Sequence, residues 1–170
     1  KQLSSAYLPI GAVMVTEPVY EAFVEHSRKL GIFGTGNTYG GHPVAAAVAL
    51  ETLKIYEDDD IMGHVRDVSV RFQQRLAGLA SHPLVGEARG VGLIGGVEIV
   101  ANKETREQFP PATKAAALAA EQILGEKLII RPLPGDVIGI CPPLIVTDQE
   151  IDDIFDRIKR GLDAAQEALG

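Results

Sequence analysis

The sequence predicts an α/β protein, and three observations carry that prediction. Residues 10–15 form a short apolar run that leads into helical spacing, residues 90–100 mix glycines with branched residues as a strand does, and residues 147–165 open on a capping box and keep one apolar stripe.

Taken in order, Ile10, Ala12, Val13, Met14 and Val15 are expected to be a buried strand of a mostly parallel sheet. A helix follows, with Thr16 as its cap, Pro18 in its first turn, Val19, Tyr20, Phe23 and Val24 at helical spacing, and Gly31 closing it. Residues 34–43 are a turn-rich loop running into an alanine-rich helix over 44–56, and the acidic residues Glu57, Asp58, Asp59 and Asp60 mark the expected boundary. Beyond it, Ile61, Val65, Val68, Phe72, Leu76 and Leu79 keep one stripe over about five turns, as a helix covering a sheet does. Residues 90–100 read as one strand with tight backbone contacts, residues 112–124 as a helix, and residues 128–130 and 137–141 as two short strands. Thr147 and Glu150 have capping-box spacing, and Ile151, Ile154, Phe155, Ile158, Leu162 and Ala165 give the last helix its apolar face. Residues 1–60 and 61–170 are therefore expected to be separate units, the second a small layered α+β domain.

The 170 residues carry 16 basic and 23 acidic side chains, a formal net charge of -7 with the charges scattered. A basic footprint for nucleic acid is absent, and nothing suggests an anionic membrane surface. No stretch has the length of a bilayer-spanning helix or the apolar core of a signal peptide, so a cytoplasmic location is expected. Cys141 is the single cysteine. It is expected to be a buried, inert thiol, and it excludes disulfides within the chain. The opening residue is not methionine, and the chain is expected to be part of something longer.

Few residues suggest chemistry by themselves. Lys1, before the polar turn Gln2-Leu3-Ser4-Ser5, would alone be a solvated charge. Thr38 lies near a helix start, where an anion can be held by donors and the helix dipole, yet a threonine there serves equally to satisfy a loop carbonyl or cap the helix. Gly36, Gly40 and Gly41 would allow close backbone approach or form turns, with Asn37 and Tyr39 beside them. Arg131 interrupts an apolar run and must be paired or swing out to water, with Asp136 a candidate surface partner. Arg89 reads as a packing and salt-bridge element, and Glu98, Asp152 and Asp153 as solvated charges. No Cys/His cluster has metal-ligand spacing.

Three segments together change these odds. Lys1 with the turn leading to Pro9-Ile10-Gly11-Ala12, then Thr38-Tyr39-Gly40-Gly41-His42-Pro43-Val44-Ala45-Ala46-Ala47, then Arg131-Pro132-Leu133 with Cys141-Pro142-Pro143-Leu144-Ile145-Val146-Thr147, resemble in sequence and order the C-terminal part of class III aminotransferases of the omega-amino acid and amine subgroup. Gln2 and Ala6 stand where the family more often has glycine.

The resemblance implies a fold-type I pyridoxal-phosphate transferase. Residues 1–60 would be the tail of the large cofactor domain with its connecting helix, and residues 61–170 the small C-terminal domain. Lys1 would be the Schiff-base lysine, catalytic and cofactor-binding, Thr38 would hold the cofactor phosphate across a dimer interface, and Arg131 would bind the carboxylate of the keto acid. The implied cofactor is pyridoxal 5'-phosphate, the partners an amino donor and a keto-acid acceptor such as pyruvate, and the assembly a homodimer or tetramer. These residues alone would not form an active enzyme, because the rest of the family's site precedes the lysine. The rival readings are an aminomutase or decarboxylase of the same family, and a noncatalytic dimerisation module.

Overall fold

The computed structural model describes residues 2–170. They fall into two compact units, Lys1–Asp60 and Ile61–Gly170.

The first unit holds two helices and a 3-10 turn, Gln2–Ser4. Helix α1, Glu17–Leu30, starts where expected: Thr16 is its N-cap in extended conformation, Pro18 sits in the first turn, and Gly31 ends it with a left-handed φ of 75°. The Thr16 side chain makes no capping bond. Its carbonyl accepts from the N–H groups of Val19 and Tyr20 instead, each at 3.0 Å. Helix α2, Pro43–Asp58, buries the stripe Ala45, Ala49 and Thr52 and contacts the 3-10 turn, whose Ser4 is also buried. It runs two residues into the acidic segment expected to terminate it.

The strand expected at residues 10–15 is not formed. A ladder needs a neighbouring strand, and the one sheet among the described residues lies wholly in the second unit. Val13 and Met14 are 91% and 96% exposed.

The second unit is a four-stranded antiparallel sheet of order β1-β2-β4-β3, packed with three helices. Helix α3, Ile61–Gly78, buries Ile61, Val68, Phe72 and Leu76, as its stripe predicts, and Leu79 is buried in the 3-10 turn that follows. Residues 90–100 are not one strand. β1, Val85–Val91, and β2, Ile94–Ile99, pair through a two-residue turn at Gly92 and Leu93. Gly92 takes a φ of 57° there, which glycine adopts without strain.

Helix α4, Ala115–Gly125, follows a 3-10 turn at Pro111–Thr113. The strand expected over 128–130 instead forms three residues later as β3, Arg131–Leu133. The N–H of Leu128 is used to close α4 by donating to Ile123 (3.3 Å), so a ladder begins only where Arg131 faces Gly139 of β4, Val137–Ile140.

Helix α5, Asp148–Leu169, begins with the complete capping box. The Glu150 N–H donates to Thr147 Oγ1, and the Thr147 N–H to the Glu150 carboxylate at 2.9 Å. Its buried residues include Ile151, Phe155, Ile158, Leu162 and Ala165, and Phe155 meets Phe72 of α3 edge-on with ring centroids 5.2 Å apart. Asp152 and Asp153 are not simply solvated. Asp152 accepts from Arg71 and is also paired with Arg75, which fastens α3 to α5, and Arg157 donates to Asp153 at 2.7 Å.

Candidate active-site elements

Lys1, expected to carry the chemistry, lies outside the described residues. The other two candidates are described, one in each unit.

Thr38 occupies the second position of a turn in which the Gly40 N–H donates to the Asn37 carbonyl at 2.8 Å. The next link, His42 N–H to Tyr39 carbonyl at 3.2 Å, delivers the chain to Pro43 at the start of α2. The cap position of α2 is held by His42, not by Thr38. Glycine eases this turn at two positions. A Cβ on Gly40 would stand 3.1 Å from the Asn37 carbonyl oxygen, and Gly41 has a φ of 69°. Thr38 is exposed, and among the described residues neither its hydroxyl nor its N–H is engaged in a hydrogen bond. Tyr39 lies beside it with its ring 5.9 Å from that of His42.

Arg131 is the first residue of edge strand β3. It is exposed, and among the described residues its guanidinium has no hydrogen-bond or ion-pair partner. The pairing with Asp136 considered from sequence is not made. The Asp136 carboxylate accepts from the backbone N–H of Ala116, in the first turn of α4, at 3.0 Å. The sheet register gives Arg131 a defined setting: Arg131 faces Gly139, Gly139 faces Gly96, and Gly96 faces Arg89. Since side chains alternate between faces, this row lies on the face opposite Ala88, Val97 and Ile138, which form part of or pack against the core. Two arginines thus stand at opposite edges of the sheet's open face with two glycines between them. Arg89 lies 3.5 Å from both Glu87 and Glu98, and Glu98 also accepts from Gln108, so Glu98 is not merely solvated.

The thiol expected to be buried is exposed. Cys141 follows Ile140 with the parity of Gly139 and Val137, so it belongs to the open face, whereas Ile138 and Ile140 fill the core. Reading residues 137–141 as uniformly apolar hid that alternation. Sequence reasoning also missed what Asp136 does. The turn Pro134-Gly135-Asp136 was visible, but its partner lies twenty residues away in the chain, and no local signal points to it.

The class III aminotransferase family model matches residues 1–162, and the chain belongs to that pyridoxal-phosphate-dependent family. Among curated relatives it is 41% identical over 169 residues to a probable mitochondrial gamma-aminobutyrate transaminase 3 of Oryza sativa subsp. indica, covering 99% of this chain and 33% of that protein. It is 38% identical over 171 residues to an uncharacterized aminotransferase of Sinorhizobium fredii, covering 99% of this chain and 37% of the relative. A solved transaminase with L-Ala superposes with a TM-score of 0.94 at 45% identity, covering all of this chain and 40% of the other. The omega transaminase of Pseudomonas jessenii in complex with PMP gives a TM-score of 0.92 at 40% identity over 98% of this chain and 37% of that one. The chain spans about a third of the length of the curated relatives it matches.

Proposed function

We propose that this chain supplies the C-terminal part of a transaminase that moves an amino group from an omega-amino acid or amine to a keto acid such as pyruvate. The observation that carries the reading is Arg131. An exposed guanidinium without a protein partner, at the edge of an open sheet face, is a ready fork for a carboxylate. In this proposal residues 1–60 belong to the large cofactor domain and residues 61–170 form the small domain.

The residues fit the family's cofactor. Thr38 offers a hydroxyl and a backbone N–H, both uncommitted among the described residues, in a turn held open by Gly40 and Gly41 just before a helix N-terminus. Such a place favours a phosphate oxygen. When bound, pyridoxal phosphate supplies the electron sink that makes a proton next to the substrate nitrogen removable. Lys1 Nζ, neutral when shielded from water or near positive charge, is the group that would hold the cofactor and then carry that proton. Arg131 would orient the acceptor by two parallel N–H bonds to its carboxylate. In a homodimer or tetramer, Thr38 would serve the neighbouring subunit's cofactor.

The test uses the full-length protein with 4-aminobutyrate and pyruvate, chosen because relatives are named for the first. Alanine should accumulate in step with loss of the donor, and borohydride reduction followed by peptide mapping should place the cofactor on Lys1. Carbon dioxide or a rearranged amino acid in place of alanine would substitute a decarboxylase or aminomutase. A label on Lys29, Lys54 or another lysine would remove Lys1 from its role.

A further inference from the structure

We infer that Asp136 is a positioning residue for Arg131: it pins the β3–β4 hairpin to the start of α4 and so fixes the edge strand that carries the guanidinium. The inference rests on the proposed role of Arg131.

Asp136 sits in the turn of that hairpin with a left-handed φ of 51°, after Gly135 at 79°. Two bonds hold it. Its carbonyl accepts from the Ile99 N–H at the end of β2 (2.8 Å), and its carboxylate accepts from the Ala116 N–H in the first turn of α4 (3.0 Å). A helix N-terminus favours a negative charge, so the carboxylate is held where the dipole is positive. Arg131 is five residues earlier, close enough in sequence to have competed for it, yet takes no share.

The strand that needs this anchor is weakly held. β3 is an edge strand of three residues, joined to the sheet only through Arg131–Gly139, Pro132–Ile138 and Leu133–Val137. Behind the hairpin lies a cleft of about 350 Å³ whose lining includes Phe109, Lys114, Ala116, Leu133 and Asp136. The hairpin therefore has room to shift if the side-chain clamp is lost. A shifted hairpin carries Arg131 out of place, which lowers the fraction of protein ready to bind the acceptor, and apparent affinity falls with that fraction.

The experiment compares half-reactions by stopped-flow in the full-length holoenzyme. Asp136→Gly keeps the left-handed backbone and deletes the acceptor, whereas Asp136→Asn keeps both an acceptor and tolerance of positive φ. Asp136→Gly should weaken keto-acid binding roughly threefold to tenfold, the reach of one capping bond. Asp136→Asn should restore most of the loss, and the half-reaction with an uncharged amine should be unchanged in both. Adding Asp136→Gly to Arg131→Ala should produce no further loss. If Asp136→Gly does not fold, the partial loss in Asp136→Asn, whose neutral amide oxygen accepts more weakly than a carboxylate, is read the same way. A lowered Tm with unchanged keto-acid affinity, or losses that add in the double variant, would overturn the inference. Arg131→Ala with full keto-acid affinity would instead overturn the role of Arg131 itself.

Discussion

At the scale of single residues, exposure sets the size of what Arg131 can contribute. A charge-assisted hydrogen bond is worth about 1.5–3 kcal/mol, or roughly ten- to a hundredfold in affinity. Arg131→Ala should therefore weaken the keto-acid half-reaction by that factor and leave the half-reaction of an uncharged amine within about threefold, as stopped-flow would resolve. Equal losses in both would make Arg131 a structural strand-end residue. His82 offers a different test. It is 6% exposed, its Nδ1 accepts from the Leu84 N–H at 3.2 Å, and the opposite nitrogen lies 3.2 Å from Asp163. Nε2 therefore carries the proton of a neutral ring. Burial lowers its pKa from 6.5, against the pull of Asp163 and with help from Lys159 and Lys103. The folded state thus binds its proton less readily than the unfolded chain. His82 stabilises fully above about pH 6.5, and that contribution is lost as the pH falls through the depressed value. Urea midpoints should be level above about pH 7 and fall on acidification. In His82→Asn the fall should be much reduced down to about pH 5, where carboxylates begin to titrate. An unchanged acid limb would locate the sensitivity elsewhere.

At the scale of elements, the crossing of α4 and α5 is set by a single missing side chain. A Cβ on Gly161 would lie 2.4 Å from Ile123 Cγ1, 2.7 Å from its Cα and 2.9 Å from its backbone nitrogen, so the obstacle is the other helix and not a flexible tip. Gly161→Ala must force the helices apart at a cost of about 1–3 kcal/mol, more than the gain of about 1 kcal/mol in helix propensity. Gly78, helical at the end of α3 with φ −59° and open space around it, is the matched control. Thermal unfolding should show Gly161→Ala lowered and Gly78→Ala level or raised by a few degrees. A rise in both would mean that α4 and α5 can separate freely.

At the scale of the whole molecule, what was legible in the sequence is what depends on local periodicity. The stripes of α3 and α5, the capping box at Thr147 and the turn glycines before α2 each report on their own neighbourhood, and each formed. Family membership was legible because three motifs came in the right order along the chain. Pairing was not legible, because it depends on residues far away in the chain. The apolar run at 10–15 lacks a strand partner among the described residues, the β1–β2 turn splits a run that reads as continuous, and Leu128 is claimed by the end of a helix. For the candidate site, sequence offered residue types to propose and no geometry. Sequence could place Asp136 near Arg131 but could not decide between that guanidinium and a backbone N–H twenty residues away.

The short edge strand β3 also bears on solubility. An unpaired strand margin is a template on which another chain can polymerise, and natural proteins blunt such margins with brevity, charge and imide nitrogens. β3 has all three in Arg131, Pro132 and Leu133: it is one short segment, it begins with a cation, and its middle residue has no N–H to donate. The open face proposed to admit a small carboxylate is thus bordered by a rim poorly suited to recruiting a second polypeptide. In that proposal, accessibility to substrate and resistance to fibre growth reside in the same three residues.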